Sequence, residues 1–97
     1  MFRDSREDLN RQWESVKREE SRVIERGKYV CDGVPGTYMV KSINGSAVNV
    51  EIIAYYDKDF VSWLNRSSME KKIKSFFYWK FPHYIIKEWR ISAEKFD

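Results

Sequence analysis

One cysteine, one histidine, two prolines and four glycines among 97 residues leave this sequence short of the side chains on which much small-protein chemistry depends. A structural zinc site takes four ligands, usually Cys and His; Cys31 and His83 supply two, so no metal and no other cofactor is expected. The same two residues are the one available Cys–His nucleophile pair. Cys31 ends a short apolar run, where a free cysteine is usually a small buried hydrophobe, and His83 follows Pro82 in a loop. A Ser–His–acid triad would need that same histidine. The glycines, Gly27, Gly33, Gly36 and Gly45, are spaced as one helix end and two turns and make no phosphate-cradling loop. Asp57 and Asp59, with Asp32, are the acids whose loop context suits a divalent cation, yet Asp-Lys-Asp between two extended runs reads first as turn chemistry. No catalytic residue is assigned, and a non-enzymatic protein is expected.

Long hydrophobic runs are missing as well. A membrane span needs about 18 or more apolar residues in succession, and Lys, Asp or Glu interrupts every apolar stretch well before that length. The amino-terminal residues Met1 to Asp8 carry acids and no apolar centre, unlike a secretory leader or transit peptide. A lone cysteine is also unlike the even sets that staple small secreted domains. These absences set the expectation of an intracellular, reducing, cytoplasmic location with no membrane partner.

What the chain does have is aromatic bulk and charge. Four Trp, six Tyr and six Phe provide for one core, which at this length implies a single domain over residues 1–97. Lys and Arg total 18 against 15 Asp and Glu, a net charge of +3. Residues 1–27 hold seven charges of each sign and residues 28–56 two of each, so the excess lies in residues 57–97, with nine basic against six acidic. There Arg66, Lys71, Lys72, Lys74 and Lys80 face only Glu70, a local basic patch.

Along the chain, Asp4 or Ser5 caps an expected helix over 4–26 that Gly27 ends. Phe2, Leu9, Val16 and Val23 recur every seven residues, widened into a stripe by Trp13 and Ile24, and Glu7–Arg11 and Glu14–Arg18 have the favourable four-residue spacing. Glu20 falls inside the stripe. It is read either as lying at the solvent edge or as a polar group that sets register at a helix interface, the route to a homodimer. Residues 28–64 read as an antiparallel meander: a strand at 28–31, a turn at 32–36, then strands 37–43 and 46–56 around Asn44-Gly45, a pair suited to a two-residue hairpin. That hairpin would oppose Met39 to Val50 and Thr37 to Ile52. It turns Met39, Ile43, Val48, Val50, Ile52 and Ala54 to the core and Tyr38, Ser42, Asn49, Glu51 and Tyr55 outward.

Residues 60–64 fit strand or helical turn equally. Over 66–81, Ser67 and Glu70 have capping-box spacing, while the following residues alternate with period two and are rich in aromatics. The reading is a short helix around 67–74, a strand after Ser75, and a last strand over 84–91. The fold class is therefore α+β, a long amino-terminal helix packed on a curved antiparallel sheet.

With catalysis set aside, recognition is the expected function. The leading reading is a small interaction module that binds a protein partner, of the inhibitor or adaptor kind found in phages and mobile elements. It rests on Tyr38, Tyr55, Tyr78 and Trp89 as aromatics in excess of core needs. The alternative is nucleic-acid binding through Lys72, Lys74, Phe76, Tyr78 and Lys80, which as a strand would interleave cations and rings on one face.

Overall fold

The computed structural model describes residues 22–96. They form one four-stranded sheet in the order β1 (Val23–Cys31), β2 (Val34–Ser42), β3 (Asn49–Asp57) and β4 (Ile85–Glu94). The first two pairings are antiparallel and the third is parallel. Two short 3-10 turns, Lys58–Phe60 and Trp63–Asn65, and the helix α1 (Arg66–Lys80) connect β3 to β4. Parallel neighbours need a crossover of a dozen residues or more, and residues 58–84 supply it.

This architecture overturns the expected long helix on an antiparallel meander. Val23, Ile24, Glu25 and Arg26, assigned above to that helix, belong to β1. Arg22 precedes the strand, its carbonyl accepting from the Ser42 amide at 2.8 Å, and residues 4–21 of the expected helix, with Glu20, lie outside the described residues. Val23 and Ile24 are β-branched and prefer the pleated surface, and from Glu25 onward the chain alternates inward and outward. Glu25 is held inward by the Tyr38 hydroxyl, which donates to its Oε2 at 2.8 Å. Gly27, expected as a helix end, sits within β1 opposite Tyr38.

Two Xaa-Gly turns organise the antiparallel half. Asp32 and Gly33 both have positive φ (51° and 79°) and join Cys31 to its partner Val34, a tight hairpin of the favoured hand. Asn44 and Gly45 also have positive φ (53° and 73°), and Ser46 N–H donates to Ile43 carbonyl at 3.0 Å, so the predicted turn is present. The pairing beyond it differs from expectation. Ser46 Oγ accepts from the Val48 and Asn49 amides at 3.1 and 3.0 Å, which folds Ser46–Val48 out of the ladder. β2 then pairs Met39 with Ile53 and Val40 with Ile52. The displacement of three residues is odd, so the faces of β2 exchange: Tyr38 and Val40 enter the core and Met39 leaves it.

α1 covers one face of the sheet. Met69, Ile73 and Phe77, four residues apart, are its buried residues and meet Tyr29, Tyr38, Val40, Val50, Ile52, Ala54 and Tyr56 in one cluster. Burying an Ile or Phe side chain stabilises by about 1.5–3 kcal/mol relative to exposure, so the fully buried Ile52, Ile73 and Phe77 hold helix to sheet. A register shift between Val50 and Glu51 sets Lys87 out of pairing, which brings Ile86, Trp89 and Ile91 alike toward the helix side.

Candidate interaction surface

The strand expected after Ser75 is the second half of α1, and this separates the residues nominated on it. Lys72, Phe76 and Lys80 share the helix side facing β1 and β2. Lys72 Nζ donates to Asp32 Oδ2 at 2.7 Å, Phe76 stacks on Tyr29 with centroids 5.6 Å apart, and Lys80 Nζ stands 5.9 Å from the Tyr38 ring centre. Tyr78 points the other way and meets Trp89 edge-on at 5.3 Å; Lys74 is exposed one turn before it. No single face interleaves the five. Helical packing wins over strand propensity because the i, i+4 stripe of Met69, Ile73 and Phe77 covers the sheet, whereas a strand would have turned Phe77 and Trp79 to the same side.

The other nominated aromatics also find internal roles. Tyr38 is only 6% exposed, and burial together with its bond to Glu25 pushes its pKa up to about 12. Trp89 is half-buried against the core cluster. Tyr55 is half-buried on the sheet face away from α1, beside Thr37 and Met39. Cys31 is buried and its thiol is pushed up by desolvation. It lies next to the turn whose Asp32 holds Lys72, midway along α1, while His83 follows the end of α1 and packs on Phe81 and Tyr84. The two do not meet. Asp57 is consumed locally, its Oδ1 accepting the Asp59 amide at 3.0 Å as the cap of the first 3-10 turn.

Tyr78 stays 55% exposed, and the main group of exposed apolar side chains lies elsewhere. Phe60, Trp63 and Leu64 are 59, 75 and 91% exposed and sit on the two 3-10 turns that lead into α1. These turns stand at the end of the sheet where the parallel strands finish, beside the Asp32-Gly33 hairpin. On one side, Asp32, Phe60, Val61, Ser68, Met69 and Lys72 line a cleft of about 280 Å³. On the other, Tyr56, Trp63, Arg66, Ser67, Glu70 and Ala93 line a cavity of about 370 Å³. The Arg66 guanidinium lies 4.5 Å from the Trp63 ring centre, a cation–π contact that steadies the indole. Along the helix Trp79 adds a further exposed ring.

Comparison with protein-family models, curated proteins and solved structures found no match to this chain. The surface must therefore be read from its own chemistry. Sequence reasoning left Phe60, Trp63 and Leu64 unassigned, since a five-residue run is too short for periodicity to distinguish a buried strand from exposed turns. The available signal was the cap-forming Asp57-Lys58-Asp59 before the run and Asn65 after it, which bracket the run between turn residues. No helix of the described residues is long and apolar enough to cross a membrane.

Proposed function

We propose that this protein is a non-enzymatic interaction module that docks on an acidic protein surface through Phe60, Trp63 and Leu64. The observation that carries the reading is the exposure of these three large apolar side chains on short turns that lead into a packed βαβ unit. Isolated apolar residues on a surface are ordinary; three within five positions, one of them a Trp, are the composition of an interface hot spot. Phe, Trp and Leu on a preformed turn lose little conformational freedom on binding. The charge of the partner follows from α1, where Arg66, Lys71, Lys74 and Lys80 stand against Glu70 while Lys72 is paired with Asp32. Such a field speeds encounter with an acidic surface and weakens with salt.

The test compares proteins captured by the wild-type chain with those captured by Trp63→Ala/Leu64→Ala and by Trp79→Ala. Loss of a saturable, salt-sensitive partner from the double variant alone, with unchanged thermal unfolding, is the expected result. Equal retention by the double variant would sink the proposal.

A further inference from the structure

The cavity between the ends of β3 and β4 has the features of a built site. Tyr56 lies one residue before the end of β3 and Ala93 one before the end of β4, and α1, the connection between them, begins at the cavity mouth. Three residues that carry hydrogen-bond donors line it. Arg66 Nε is buried and has no hydrogen-bond partner, and the guanidinium is held against Trp63. Tyr56 is 1% exposed, and its hydroxyl makes no hydrogen bond among the described residues while lining the cavity with Arg66 and Glu70. The Ser67 hydroxyl is the third. The first turn of α1 adds free backbone N–H groups, because the Asn65 side chain does not cap it and no acid occupies it.

We propose that this cavity binds a carboxylate, presented by the protein partner as an acidic side chain or as a chain terminus. Donors without an acceptor, one of them a planar guanidinium, match a flat two-oxygen anion. Glu70, the single acid on the wall, opposes a doubly charged phosphate more than a singly charged carboxylate. The site itself stands on the cavity geometry; only the identity of the carrier rests on the docking function proposed above.

Small probes test it without any partner. Titrations at constant ionic strength follow the Arg66 Nε–H and the Ser67 and Ser68 amide NMR signals. The probes are N-acetylglycine, the N-acetylglutamate side chain in its diamide-blocked form, N-acetylglycinamide as the uncharged control, and inorganic phosphate. Saturable shifts with the carboxylates and none with the amide are expected, weakened roughly tenfold in Arg66→Lys, as loss of one charge-assisted bond predicts, and several-fold in Tyr56→Phe. The tighter of the two carboxylates identifies the source, side chain or chain end. Shifts that do not saturate, binding unchanged in both variants, or phosphate binding tighter than either carboxylate would each overturn the assignment. A saturating carboxylate site alongside failed partner capture would leave the cavity standing and remove the docking function; the reverse outcome would do the opposite.

Discussion

Gly36 shows how tightly single positions are set. A Cβ there would stand 2.3 Å from the Tyr55 carbonyl oxygen and 2.5 Å from the Tyr29 ring, and the backbone oxygen cannot step aside. The Tyr29 hydroxyl crosses over this glycine to donate to the same carbonyl at 3.1 Å. Gly36→Ala is expected to cost about 1–3 kcal/mol, the range for overpacking a well-filled core, read as a lowered urea midpoint. Tyr38 supplies a pH signature. Its pKa rises from the usual 10 to about 12 in the fold, so the protein favours the neutral phenol more than the unfolded chain does. The stabilisation is complete below pH 10 and is lost as pH rises from 10 toward 12. The denaturation midpoint should fall over that window, with the 295 nm phenolate absorbance rising late, and Tyr38→Phe should flatten part of the fall. Tyr29, Tyr56 and Tyr84 are raised too, chiefly by burial, and add to the fall.

At the scale of elements, α1 separates two readings of the same residues. On a strand, Phe77 and Trp79 would share a face; on the helix, Phe77 is fully buried and Trp79 is 78% exposed. Phe77→Ala should therefore cost about 3–5 kcal/mol, whereas Trp79→Ala should stay within about 0.5 kcal/mol of wild type. Comparable losses at both positions in thermal or chemical unfolding would contradict the helix. The Asn44-Gly45 turn teaches a related point. Its dipeptide was legible and its type correct, but the Ser46 side chain bonds that displace Ser46–Val48 were not, and three displaced residues were enough to exchange Tyr38 for Met39 in the core. The expected burial of Val50, Ile52 and Ala54 survived because β3 kept its own alternation.

For the molecule as a whole, β4 is the element on which closure of the fold depends. It pairs with β3 along nearly its whole length and brings Ile86, Trp89, Ile91 and Ala93 against the core. Ending the chain after residue 84 would strip those side chains and expose the edge of β3, whose Val, Ile and Tyr content makes it a template for association. The truncated protein is expected to lose cooperative thermal unfolding and to elute from size exclusion as aggregate. A monomeric, cooperatively melting product would show that the three antiparallel strands and α1 suffice. The same parallel pairing brings the start of α1 and the ends of β3 and β4 together, and so makes the cavity in which Tyr56 and Arg66 meet.

Local chemistry was enough to place the Asn44-Gly45 turn, the Asp57-Lys58-Asp59 turn, the alternation of β3 and the mixture of aromatic and basic residues late in the chain, because each depends on neighbours within a few positions; of the turn expected over 32–36, Asp32-Gly33 holds and Val34–Gly36 belong to β2. Asp-Gly and Asn-Gly favour positive φ through their own chemistry, and the Asp57 carboxylate caps the amide two residues on without help from distant residues. Pairing of strands distant in sequence, the parallel return of β4 and the choice of helix over strand at 75–80 depend on what lies across the core, which no window of sequence contains. Burial followed from those long-range choices. It drew Tyr38, Phe76 and Trp89 inward, and it left Phe60, Trp63 and Leu64 outside as the surface on which the proposed function rests.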